Sequence, residues 1–227
     1  MSSSSSAQRP RLDRAQVVEA AIAYADAHGL EALSMRRLAD ALGVTPMALY
    51  KHVAHRDELI DQMVDRLAAR ITATRAGAEW KPALRQRILA ARALMNQHPW
   101  AQGAIETRTS ASPAVLAHMD ALMAHMFDGG LSADLVHHAM HALSTRMWGF
   151  TRDVLPTPTL PEDPDQRAAA LAGYAQQYPA IIRMATSAPR AGDECDSDAE
   201  FRFALDILLD AIERLHESGW TSASLTP

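Results

Sequence analysis

Residues 34–56 read SMRRLADALGVTPMALYKHVAHR. Met35, Leu38, Ala39 and Leu42 recur at helical spacing behind Ser34, a residue type that caps helices. A helix is therefore predicted to start at Met35 with that face inward. Gly43 ends it, because glycine takes a positive φ at little cost. Thr45 is a cap and Pro46 a first-turn proline, so a second short helix follows with Leu49 and Val53 turned inward. Outward positions on this second helix are Thr45, Pro46, Met47, Tyr50, Lys51 and His52, and no acid occurs from Val44 to His55. A merely solvated helix face mixes Glu with Lys, whereas a face that meets phosphates excludes carboxylates. The stretch predicts a helix-turn-helix that lays one helix across a DNA backbone and sets the next in the major groove. A helical hairpin without that role is the competing reading.

Working outward, Asp13 with Gln16 forms a capping-box pattern. Val17, Val18, Ala21, Ile22 and Ala25 then repeat at helical spacing over about 14–28. A fourth helix is predicted over about 56–75, its N-terminus favoured by Asp57 and Glu58 and its stripe made of Leu59, Ile60, Met63, Val64, Leu67 and Ile71. Further helices are predicted over 81–97, 99–108, 113–129, 132–155, 166–186 (broken at Pro179) and 198–217. The proline-rich 156–165 is a loop, and no strand pattern or repeat occurs. The fold class is all-α: a flexible arm over 1–12, a three-helix head over 13–57, and a larger helical body over 58–227.

Composition agrees. Apolar residues make up 48% of the chain and aromatics only 5%, a mix that favours packed helices over sheet. A single cysteine, Cys195, excludes an internal disulfide framework and suits a reducing, cytoplasmic setting. MSSSSSAQRPR has no apolar core of a signal peptide, and no run reaches the length of a membrane span. The net charge of −5 is uneven: residues 1–56 carry +2 and the remainder −7. A basic front on an acidic body suits a protein that touches a polyanion at one end. No nucleophile elbow, phosphate loop or HExxH helix occurs, so neither an enzyme nor a cofactor is expected.

The segment LSMRRLADALGVTPMALYKHVAHRDELI, with its LY-x-H-V wording, resembles the tetracycline-repressor (TetR) family of bacterial transcription regulators over about the first 70 residues. The later helix order and the stretch Glu106-Thr107-Arg108 are similar to its tetracycline-repressor subgroup. The resemblance implies that Ser34, Met35 and Arg36 meet DNA from the first helix of the motif, Arg36 at a guanine edge or phosphate. It implies phosphate contacts for Thr45, Tyr50, Lys51, His52 and Arg56, and apolar contacts to thymine methyls for Pro46 and Met47. Read from the residues alone, the rival readings are a solvated arginine for Arg36 and a half-buried core residue for Tyr50. A histidine that holds the metal–drug complex in the tetracycline repressor aligns with Ala104, so tetracycline is not the expected inducer.

In the body, Phe201, Leu205, Leu208, Ile212 and Leu215 follow 4-3-4-3 spacing. Leu135, Ala139, Ala142, Leu143, Met147, Phe150 and Val154 stripe the helix 132–155. The resemblance implies that these two helices pair with their copies in a homodimer that reads a palindromic operator; the pattern alone fits intrachain core equally. Met119, Met123, Met140 and Met147 with Ser144 are candidates to line an adaptable pocket for an apolar effector, with Thr107 and Arg108 as polar handles. His137 and His141 share a face, but no acid or cysteine at local spacing completes a metal site, and none is expected. The expected function is a repressor released from DNA by a small, largely apolar effector. The alternative is an all-helical carrier or enzyme with a non-functional head.

Overall fold

The computed structural model describes residues 12–71, 79–108, 111–151, 160–187 and 196–225. They form eleven α-helices, among which no strand occurs. They divide into two compact units: residues up to Phe150 together with those from Leu205 onward, and residues Thr151–Ala204.

The head is built by local rules. Helix α1, Arg14–His28, opens on a capping box in which the Asp13 carboxylate accepts from the Gln16 N–H (2.8 Å) and the Gln16 side chain accepts from the Asp13 N–H (3.0 Å). Its buried face is Val17, Val18, Ala21, Ile22 and Ala25. After a 3₁₀ turn at Leu30–Ala32 comes α2, Met35–Leu42, capped by the Ser34 hydroxyl and ended by Gly43 at φ 65°. Helix α3, Pro46–Leu49, is only four residues long and begins with the proline. Leu49 and Val53 are wholly buried, which seats α3 against the head's core. Helix α4, Arg56–Ala68, is shorter than expected. Its cap is His55, whose Nδ1 accepts from the Glu58 N–H at 3.1 Å, a role that no residue-type rule for caps points to. Residues 72–75 of the expected helix lie outside those described.

The body continues with α5 (Trp80–Gln97), α6 (Ala101–Glu106), α7 (Pro113–Asp128) and α8 (Ala133–Leu143). The expected long helix 132–155 does not form. It stops at Leu143, a 3₁₀ turn follows at Arg146–Trp148, and Gly149 turns at φ 82°. The cause is tertiary. A Cβ on Gly149 would stand 2.2 Å from the Arg92 Cα of α5, and the Arg92 guanidinium donates to the Gly149 carbonyl at 2.8 Å. Leu155 and Val154 lie outside the described residues. Helix α11, Ser197–Glu217, joins α5 through Lys81–Asp210 (2.7 Å), Lys81–Glu213 (2.5 Å) and Arg85–Asp206 (2.6 Å).

Much of each expected pairing stripe is core within the chain. Phe201, Leu205 and Ile212 are buried inside the single chain, as are Leu135, Ala139, Leu143, Met147 and Phe150, whereas Leu208 is half-buried and Leu215 and Ala142 are exposed. A 4-3 stripe serves intrachain core as readily as a partner helix. The outward large apolar residues of α11 are Phe203, Ile207 and Leu215, 65%, 50% and 36% exposed.

In the second unit α9 (Pro164–Gln177) and α10 (Pro179–Ser187) meet at the break expected at Pro179, which has no N–H for a continuing ladder.

Two glycines with positive φ separate backbone strain from crowding. Gly43 has open space where a Cβ would stand, whereas Gly149 faces backbone. Gly43→Ala is expected to cost about 1 kcal/mol and Gly149→Ala upwards of about 3 kcal/mol, as read by chemical denaturation. Equal losses would contradict the account of the α8 break.

Candidate nucleic-acid interface and its connection to the body

The turn between α2 and α3 gathers most of the expected contact residues on one surface. Arg36, Thr45, Pro46, Met47, Tyr50 and Lys51 are exposed, with Met47 at 70% and Tyr50 at 45%, and Ser34 and His52 are half-buried. Tyr50 is thus not core. The surface carries no carboxylate from Val44 to His55.

Two expected contact residues are placed otherwise. Met35 is buried, with 9% exposed, because the first turn of α2 directs it into the head's core with Leu38 and Ala39. Arg56 does not stand free to clamp a phosphate. Its Nε donates to the Leu33 carbonyl (2.8 Å) and its terminal nitrogen to the Leu30 carbonyl (2.9 Å). It joins the start of α4 to the link between α1 and α2. Charge alone suggests phosphate for Arg56; the need of those two carbonyls for a donor is not visible in the sequence.

Ion pairs fix α1 along α4. The Arg14 guanidinium meets Glu58 at 2.6 Å, and Glu58 also accepts from the Ala54 N–H at 2.5 Å. Glu19 is held by both Arg66 and Arg70 at 2.5 Å. Hydrogen bonds from Arg70 and then Arg66 hold the Glu19 carboxyl below its ordinary range. The far side of α4 meets the body. Arg108, its side chain 10% exposed, donates to the Asp61 carbonyl (3.1 Å) and to Asp65 (3.3 Å), and Ser112 donates to Asp65. Asp26 of α1 accepts from the Trp100 indole at 2.7 Å and contacts His98 Nδ1 at 2.8 Å. Between these contacts lies an open cleft of about 890 Å³, lined by Asp26, Leu30 and Glu31 of the head, by Arg56, Ile60 and Asp61, and by Ala104, Thr107 and Arg108.

The expected effector residues fall in two places. Met119, Met123, Met140, Ser144 and Met147 do come together, with Phe127, Val136, His137 and His141, in an open groove of about 360 Å³ between α7 and α8. Thr107 and Arg108 are not with them. They face the cleft beside α4, where the Thr107 hydroxyl donates back to the Gly103 carbonyl at 2.8 Å. The His137 and His141 rings lie 4.7 Å apart. Among the described residues no group of three or more His, Cys, Asp or Glu is placed to hold a metal ion. No helix among them is long and apolar enough to cross a membrane.

A head of this geometry on a helical body has known counterparts. Residues 17–63 match the profile of bacterial regulatory proteins of the tetR family, and residues 74–216 match the tetracyclin repressor-like C-terminal domain. The chain belongs to the tetR family. It is 36% identical over 126 residues to the HTH-type transcriptional repressor DrrR1 of Streptomyces coeruleorubidus, covering 55% of this chain and 47% of that one. The chain thus spans about half the length of that relative. It is 27% identical over 210 residues to the class C tetracycline repressor of Escherichia coli, covering 90% and 92%. The crystal structure of Streptomyces coelicolor ActR in complex with (S)-DNPA is similar at TM-score 0.65 and 25% identity, covering 90% of this chain and 98% of that one.

Two histidines of this tetR-family body are buried among the described residues, His98 and, more deeply, His118. His118 of α7 is 1% exposed, and its Nε2 meets the Met147 carbonyl at 2.9 Å. Burial pushes the imidazole down from 6.5 to about 4, opposed by that hydrogen bond and aided by the nearby Arg87 charge. The folded protein therefore holds His118 neutral, while the unfolded chain takes up a proton below about pH 6.5. Stability from this group is complete above that pH and is lost as pH falls toward 4, by about 3 kcal/mol in all. Denaturation midpoints of wild type and His118→Gln are expected to converge over that window. Parallel pH curves would show that His118 does not titrate there.

Proposed function

We propose that this protein is a transcriptional regulator that binds double-stranded DNA through the exposed face of residues 45–52 with Arg36, and that it acts as a repressor released by a small, largely apolar effector. The observation that carries this reading is the face itself: exposed, free of acid and set on a head braced by Arg56 and by the Glu19 and Glu58 ion pairs. DrrR1 carries the name of a transcriptional repressor, and the ActR structure holds a small molecule, (S)-DNPA; both support the assignment by analogy.

On this reading residues 13–57 are the head. Arg36 reaches a guanine edge or a phosphate, and Thr45, Tyr50, Lys51 and His52 lie along the backbone with Ser34 near it. Pro46 and Met47 give apolar contact to thymine methyls, so base hydrogen bonds are few and DNA shape contributes to the choice of site. Met35 and Arg56 shape the head rather than touch DNA. A second copy docks on the outward face of α11 at Phe203 and Ile207, and the dimer reads both halves of a palindromic operator. The effector occupies the methionine-lined groove between α7 and α8 and favours a dimer shape whose heads no longer match the two half-sites. Helix α4 carries the change, since Arg108 and Ser112 hold it at Asp61 and Asp65. The protein works in the cytoplasm, where its DNA is, and catalyses nothing.

The test is fluorescence anisotropy over a salt series, with a fragment from the flank of the protein's own coding sequence. Arg36→Ala and Lys51→Ala are each expected to flatten the log–log salt slope by about 1 when the lost contact is to phosphate. Arg56→Ala is expected to lower the melting temperature instead. Slopes unchanged in both of the first two variants would remove this face from DNA binding.

A further inference from the structure

Arg87, in the middle of α5, is 7% exposed, yet its Nε–H is buried without an acceptor, and no ion pair reaches it among the described residues. Burial depresses its pKa, but a guanidinium stays charged in proteins. Unlike a lysine or a histidine, it has no neutral form to retreat to, so among the described residues the charge sits uncompensated. Its neighbours have responded in its place. Arg87 helps to hold both His118 and His125 of α7 in their neutral forms, after burial itself. Asp128 acts on His125 from the end of α7 but forms no ion pair with Arg87 among the described residues.

Two further orphan nitrogens lie on the elements that meet there. His118 Nε2 faces a carbonyl, so it carries the proton, and Nδ1 is a bare, buried acceptor. Arg146 Nε, in the turn that follows α8, is also buried without a partner. Met147 joins this cluster to the open groove: its carbonyl receives His118, and its side chain lines the groove together with Met119. The Trp148 ring, 4.6 Å from that of His118, adds an aromatic face.

We propose that Arg87 anchors an organic anion, an aromatic carboxylate bearing a neighbouring hydroxyl. The guanidinium takes the carboxylate, His118 Nδ1 accepts from the hydroxyl, and the thioethers and Trp148 cover the ring. The inference rests on the reading of the body as an effector sensor and names the chemistry of that effector.

The experiment uses the full-length protein in thermal-shift titrations with salicylate and with salicylamide, which keeps the ring and the hydroxyl but lacks the charge. Wild type is compared with Arg87→Met, a side chain of similar length without charge. Without ligand, Arg87→Met is expected to melt at or above the wild-type temperature, because it removes an unpaired buried charge. Salicylate is expected to stabilise the wild type and to bind Arg87→Met at least tenfold more weakly, while salicylamide shifts neither. A lower ligand-free melting temperature for Arg87→Met would overturn the proposal, since a carboxylate of this chain or of a second copy would then already pair with Arg87. Equal salicylate binding by both proteins, or none by the wild type, would overturn it as well. Salicylate binding through Arg87 that leaves DNA affinity unchanged would uphold the site and overturn the sensor reading. DNA release by an uncharged compound, with no salicylate binding, would do the reverse.

Discussion

The Arg56 guanidinium donates to the carbonyls of Leu30 and Leu33, and the head depends on those two bonds. They close the link between α1 and α2 against the first residue of α4. Without them the Leu33 carbonyl would lose its donor, and the Leu30 carbonyl would keep only the bond from the Leu33 N–H (3.1 Å), at a cost comparable to a lost hydrogen bond. A charged donor makes such bonds stronger than an amide would. The consequence is geometric. The link that leads into α2 and the helix that leads into the body are tied through one side chain, so a shift of either is felt by the other.

Helix α4 is held along its length by groups of different kinds. His55 and Glu58 settle its first turn, Glu58 and Glu19 bind it to α1, and Arg108 and Ser112 bind it to the body at Asp61 and Asp65. Asp26 adds a second link from the head to Trp100 and His98. Packed cores and hydrogen-bonded joints change arrangement in discrete steps rather than by continuous bending. A body that changed shape would therefore transmit it through α4 as a displacement of the whole head. The large cleft beside α4 is bounded by these same contacts, which leaves room for such a displacement.

Local signals carry the head well. Asp13 with Gln16, Ser34, Gly43 and Pro46 each set a boundary that short-range chemistry decides, and α1 and α2 begin and end where those residues place them. The exposed face is legible because the absence of acid is a property of composition. Arg56 reads wrongly from sequence because its partners are main-chain carbonyls 23 and 26 residues away. Gly149 gives no signal within an apparently continuous helix, since its need for close approach to Arg92 is set by α5. The α11 stripe is legible as a stripe but not as to what it packs against. The methionine groove can be read from Met119 and Met123 at helical spacing on α7 and Met140 on α8, with Met147 brought in by the turn after α8. Thr107 and Arg108 cannot be placed, as their destination depends on the turn between α6 and α7.

The central claim is that two copies of this head engage DNA through the α2–α3 face. Hydroxyl-radical footprinting of the full-length protein on its operator tests it most directly. The account predicts two equivalent protected patches separated by a whole number of helical turns of roughly 10 base pairs each, both lost in Arg36→Ala with Lys51→Ala. A single patch, or protection unchanged in that double variant, would contradict it.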